Sequence, residues 1–152
     1  MTAAPEHDSP LPPARAADSL SLVDALVQTS YAVTATLTAV AAGHGVSVTL
    51  LRVLAILRDR TPTMSDLADH LDLDRSSITG LIARAERRGL VQRSADEQDG
   101  RSIRVRLTPS GRTLADSAAH EVRGALVPLE DRLSPRQSRD LTRLLVALGV
   151  VH

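Results

Sequence analysis

Between residues 63 and 107 the hydrophobic period changes once, and that change restricts the possible folds more than any other feature of the chain. Thr63, with Asp66 three residues on, is a capping-box pattern that opens a short helix running to about Leu71. Asp72-Leu73 makes a tight connection, and Asp74 is an N-cap for a second helix over residues 75–89. Leu71, Leu73, Ile78, Leu81 and Ile82 fall where they can face inward and hold the two helices at a fixed crossing. After Gly89 the period becomes two. Residues 90–93 read as a short strand, and residues 102–107 alternate Ile103, Val105 and Leu107 with Arg104 and Arg106. A polar loop, residues 94–101, joins them. The pattern is a helix-turn-helix followed by a hairpin with a charged tip, a wing.

The flanking segments read as helices. Residues 1–17 hold four prolines among small and polar residues and are expected to form a flexible arm. From Asp18 onward Leu22, Leu26, Val33, Leu37 and Val40 recur at helical spacing, and the run 41–45 with its two glycines closes the helix. Ser47 caps a helix with Leu50, Leu51, Leu54 and Leu57 on its apolar face. Thr108-Pro109 opens a helix bearing Leu114, Ala118, Val122, Leu126 and Leu129, in which Pro128 is expected to introduce a kink. Ser134 with Gln137 opens the last one, with Leu141, Leu144, Leu145 and Leu148. The expected division is an arm at 1–17, a first dimerisation helix at 18–45, a winged helix-turn-helix region at 46–108 and C-terminal dimerisation helices at 109–152. The fold class is mainly α with a small β-hairpin: a DNA-binding lobe plus a helical dimerisation lobe.

Composition excludes several functions. The chain has no cysteine, which removes thiol redox sensing and cysteine-ligated zinc. Aromatic residues are 1% of the chain, Tyr31 being the sole one, so bases cannot be stacked on aromatic platforms. No uninterrupted apolar run approaches about 18 residues, and no basic-then-apolar leader opens the chain, so the cytoplasm is the default expectation. The zero net charge hides a partition: residues 1–74 carry −5, residues 75–112 carry +5, and the rest balance. Every base is Arg. Missing Lys, Asn and Phe looks like genomic codon bias, so the clustering of Arg carries the information rather than its use.

That cluster lies where DNA would be met. The second helix of such a motif enters the major groove with its N-terminal residues toward base edges. Here these are Arg75, a donor for guanine, and Ser76, Ser77 and Thr79, short hydroxyls suited to phosphates or bases; Gly80 permits close approach. Arg84 is within reach of a phosphate. Arg101 at the hairpin tip fits the narrow, electronegative minor groove, with Asp99 expected to pair with an Arg and fix its aim. Arg93 and Arg104 flank the hairpin toward backbone phosphates. For Arg87, Arg88 and Arg106 a solvated surface charge is the competing reading.

Residues 46–111 resemble the winged-helix core of the MarR family (multiple antibiotic resistance regulators). The resemblance is carried by Met64-Ser65-Asp66-Leu67-Ala68, by Ser76-Ser77-Ile78-Thr79 and by the run 86–93, Glu-Arg-Arg-Gly-Leu-Val-Gln-Arg. Most specific are Asp99-Gly100-Arg101-Ser102, matching an Asp-x-Arg wing signature, and Leu107-Thr108-Pro109-Ser110-Gly111. Two departures stand out: Asp72 where the turn often has glycine, and Ala85 in place of a larger apolar residue. The resemblance implies a homodimeric repressor on a pseudo-palindromic, double-stranded operator, released by a small phenolic or anionic ligand.

An independent argument supports dimerisation. The first, fifth and last helices carry more apolar surface than one compact winged helix buries, and a two-fold dimer would set two recognition helices about 34 Å apart. Tyr31, His44, Arg52 and His120 are candidates for an effector pocket, each competing with an ordinary surface role. No metal or other cofactor is expected, since the histidines lack ligand spacing. No catalytic motif occurs, so an enzyme is not expected. The alternatives left open are a winged-helix protein-interaction module and a regulator that ignores ligands or activates.

Overall fold

The computed structural model describes residues 20–96 and 100–149. The expected arm at 1–17, the start of the first helix at Asp18, wing residue Asp99, and Val150 and Val151 lie outside the described residues. Six helices and one hairpin follow in order: α1 Leu22–Gly43, α2 Val48–Asp59, α3 Met64–Leu71, α4 Arg75–Arg87, β1 Val91–Ala95, β2 Ile103–Leu107, α5 Pro109–Glu130 and α6 Pro135–Ala147.

The N-caps stand where the sequence places them. Ser47, Thr63, Asp74, Thr108 and Ser134 are all in extended conformation, and each side chain accepts from a backbone N–H in the first turn of its helix. Both capping boxes close, Thr63 with Asp66 and Ser134 with Gln137. Asp72 ends α3 in the left-handed region, at φ 51° and ψ 49°, which Asp tolerates better than most residues. The turn that often holds glycine is therefore made without one. Pro128 lies inside α5, which continues only to Glu130.

The chain divides into two units, residues 1–33 and 34–152. The described part of the first is the N-terminal portion of α1, where Leu22, Val23 and Tyr31 are exposed. In the second, Leu54, Leu67, Ile78 and Ile82 of the helices pack with Val53, Val91 and Val105 into a core with almost no solvent contact. Ala85, where a larger side chain is common, is fully buried.

The hairpin is antiparallel, with Val91 opposite Leu107 and Ala95 opposite Ile103. It is tied to the start of α3 as well: the Val105 N–H donates to the Pro62 carbonyl at 3.0 Å, and Thr63 bridges Arg104. The wing is thus fixed to the helix-turn-helix along one edge. Behind it, Gly111 lets α5 press on the backbone of Leu90, since a Cβ there would come 1.8 Å from the Leu90 carbonyl oxygen.

The last helix leaves its apolar side chains uncovered in the single chain, in line with the sequence reading: no residue of α6 is buried, and Leu144 keeps 65% of its surface exposed. One outcome differs. Helix α1 is 22 residues long and, by length and average composition, meets the requirement of a membrane span. Run length alone missed this because Thr, Ser and Gln interrupt the apolar residues, while Asp24 is the helix's one acidic or basic residue.

Candidate nucleic-acid interface

Helix α4 presents one face to the core and the other to solvent. Ile78, Leu81, Ile82 and Ala85 are buried, while Arg75, Ser76, Ser77, Thr79 and Arg84 are exposed. The opposite wall is the wing, and between them runs an open cleft of about 530 Å³. Arg75 and Thr79 line it from α4, and Arg93, Arg101 and Ser102 from the hairpin. Met64, Leu73, Ile78 and Ile103 give it an apolar floor. Arg75 and Arg101, drawn from segments 26 positions apart in sequence, thus converge on one concave surface.

The start of α4 is organised by Asp74. Its carboxylate accepts from the Ser77 N–H at 2.8 Å, from the Ser77 hydroxyl at 2.6 Å and from the Ser76 hydroxyl. These bonds, the Ser76 hydroxyl first, hold the Asp74 carboxyl far below the usual carboxylate range, so it is ionised throughout the physiological range. One turn on, the Thr79 hydroxyl donates to the Arg75 carbonyl at 2.6 Å. The Arg84 guanidinium lies over Gly80, where an added Cβ would stand 3.3 Å from its Nη1. The expected close approach at Gly80 is therefore shared with Arg84.

The wing arginines differ in their partners. Arg93 donates through Nε and Nη2 to the Glu86 carboxylate at 2.9 and 2.6 Å, and its backbone N–H reaches the other Glu86 oxygen at 3.2 Å. The Arg93 side chain in turn lowers the Glu86 pKa. Arg104 donates through Nε to Asp96 at 2.8 Å and through Nη1 to the Thr61 carbonyl at 2.8 Å. Asp96 retains only 8% of its surface, yet its carboxylate is matched. Arg88 donates to the Gly45 carbonyl at 2.9 Å. Arg93, Arg104 and Arg88 therefore tie elements together, and Arg93 also lines the cleft beside Arg75 and Arg101.

Glu86 and Asp96 were not singled out from the sequence. The available signal was charge alternation: each acid sits within a run of arginines that a balanced hairpin must neutralise.

A second cavity, of about 290 Å³, opens among α1, α2 and α5 within the second unit. Leu37, Leu51, Ala55, Ala115, Ala118 and Val122 form apolar walls, and Arg52 and Arg123 supply the charge. Of the four candidate pocket residues, Arg52 lines this cavity. His44 pairs through Nε2 with Glu121 at 2.9 Å, His120 is exposed on α5, and Tyr31, 71% exposed, belongs to the first unit. Arg123 and the small residues of α5 were missed, because a cavity is made by what alanines fail to fill and leaves no periodic trace. Among the described residues no cluster of metal ligands occurs.

Comparison with known proteins places this architecture. The sequence profile of the MarR family matches residues 44–102. The homoprotocatechuate degradative operon repressor of Escherichia coli is 31% identical over 134 residues, covering 85% of this chain and 90% of the repressor. Among solved structures, transcriptional regulator PA4135 superposes with a TM-score of 0.73 at 28% identity, covering 88% of this chain and 98% of that one. The Mycobacterium tuberculosis MarR family protein Rv2887, in complex with salicylic acid, gives a TM-score of 0.66 at 28% identity, covering 88% and 99%. With this profile match, a relative 31% identical over 85% of its length, six helices and an antiparallel wing, the chain belongs to the MarR family of winged helix-turn-helix transcriptional regulators.

Proposed function

We propose that the protein is a homodimeric, sequence-specific repressor of the cytoplasm that leaves a pseudo-palindromic operator when a small aromatic acid binds. The observation that carries this reading is the convergence of Arg75 and Arg101 on one cleft beside the exposed face of α4. In it α4 enters the major groove, Arg75 pairs with guanine, and Arg101 reaches the minor groove beside it. Ser76, Ser77, Thr79 and Gly80 face the bases, while Arg84 reaches a phosphate. Asp99 aims Arg101. Arg93 and Arg104 serve first as braces of the wing and touch phosphates from that fixed position.

The exposed apolar side chains Leu141, Leu144 and Val146 of α6 and Leu148 at its C-cap support the dimer. The α1–α2–α5 cavity supports the ligand class: apolar walls take a ring, and Arg52 and Arg123 take a carboxylate. Rv2887 was solved with salicylic acid, a molecule of that chemistry.

The test is duplex binding by anisotropy across a salt series, using the promoter fragment upstream of the protein's own gene. Wild type binds, with affinity falling steeply as salt rises. Arg101→Ala weakens binding and flattens the slope of log affinity against log salt by roughly one unit. An unchanged slope would remove Arg101 from the interface.

A further inference from the structure

The three hydroxyls of the α4 reading face have already spent their protons. A hydroxyl carries one hydrogen to donate and two lone pairs to accept with. Ser76 and Ser77 both donate to Asp74, the latter at 2.6 Å, and Thr79 donates to the Arg75 carbonyl at 2.6 Å. A carboxylate and a carbonyl have no hydrogen to give, so the direction of all three bonds is fixed by chemistry. Ser76, Ser77 and Thr79 are nonetheless exposed, and a hydroxyl that has donated its hydrogen keeps lone pairs with which to accept.

We propose that these hydroxyls act toward DNA as acceptors only, so that α4 selects an amino-bearing base, cytosine or adenine, wherever one of them faces the major groove. Cytosine N4 and adenine N6 are the donors in that groove; guanine O6 and N7, thymine O4 and the phosphate oxygens all accept. A keto base or a phosphate in that place meets two acceptors in contact, unless an internal bond of α4 is broken first. The ionised Asp74 carboxylate at the same end adds to the bias, because it disfavours a phosphate there. Arg75, which can only donate, reads guanine, so donor and acceptor duties are divided between neighbouring residues of one helix turn. The inference rests on α4 being the helix that reads the operator.

The experiment uses the full chain in two steps. A tight-binding duplex is first selected from a randomised pool. Each adenine of that duplex is then replaced by its deamino analogue, purine, and each cytosine by 2-pyrimidinone, and affinities are measured for wild type, Ser76→Ala, Ser77→Ala and Thr79→Val. Loss of the amino group at one or more positions in each half-site weakens wild type by about three- to tenfold. At least one variant loses the sensitivity at its own position while keeping the Arg75-dependent guanine preference. If no single amino deletion matters, or if all three variants retain the wild-type sensitivities, the acceptor assignment is overturned although α4 still reads DNA. If no duplex is enriched, the failure lies earlier, in the assignment of α4 to DNA, and the inference falls with it.

Discussion

Gly111→Ala tests how the DNA-binding region is joined to α5. The added Cβ would lie 1.8 Å from the Leu90 carbonyl oxygen and 2.8 Å from its carbon. Both neighbours are backbone, so no side-chain rotation relieves the clash, and the start of α5 must move away from Leu90 by more than an ångström. That movement breaks two bonds that Thr108 makes across the junction, its N–H to the Leu90 carbonyl at 3.1 Å and its hydroxyl to the Gly89 carbonyl. Overpacking of this kind costs about 1–3 kcal/mol, and each lost bond about 1 kcal/mol. Alanine's better helix propensity returns about 1 kcal/mol. The expected net loss is about 2–4 kcal/mol, a large part of a typical stability of roughly 5–15 kcal/mol. Gly124, further along the same helix, has nothing within 4 Å of its virtual Cβ, so Gly124→Ala should stabilise by about 0.5–1 kcal/mol. Urea unfolding followed by far-ultraviolet circular dichroism at one fixed protomer concentration measures both. If Gly111→Ala unfolds at the wild-type midpoint, the close packing of α5 on Leu90 is wrong.

Three further outcomes follow from the described contacts. Arg104→Ala removes the Nε–H bond to the buried Asp96 carboxylate and should cost about 1–3 kcal/mol; the Asp96→Ala, Arg104→Ala double variant should lose less than the sum of the singles in a double-mutant cycle. Asp66, Asp74 and Glu86 are held below their ordinary values of 3.8 to 4.5 by the Thr63 N–H, the Ser76 hydroxyl and Arg93 respectively. Depressed carboxylates stabilise fully above those unfolded-state values and lose that contribution as pH falls through the lower folded-state values. The urea midpoint should therefore drop below about pH 4, and drop less in Asp74→Asn; a midpoint that rises on acidification contradicts the sign. If the proposed aromatic-acid site is right, salicylate should raise the melting temperature of wild type and raise it less for Arg52→Ala, and an equal shift in both would remove Arg52 from that proposed site.

What the sequence disclosed depended on how local the cause was. Ser47, Thr63, Asp74, Thr108 and Ser134 cap helices by contacts within three residues, so chain order alone reveals them. The change of period at Gly89 likewise marks the hairpin, though β1 runs on to Ala95, two residues beyond the expected strand, because it stays paired with β2 up to Ile103. The bracing acids are different. Glu86 meets Arg93 only because the chain reverses at Gly89, and Asp96 meets Arg104 only because the hairpin folds it back. Their partners are set by tertiary register, which periodicity does not encode. The protons of Ser76, Ser77 and Thr79 were equally hidden: the residue types suit donating or accepting, and only the bonds to Asp74 and Arg75 decide.

The central assignment, two arginines serving two grooves, is tested most directly by methylation interference on the selected duplex. Wild type should be blocked by methyl groups on guanine N7 in the major groove at two places about one helical turn apart, and by methyl groups on adenine N3 in the adjoining minor groove. Arg75→Ala should lose only the guanine signal and Arg101→Ala only the adenine signal. Interference that stays the same in both variants, or never appears in either groove, would contradict the account.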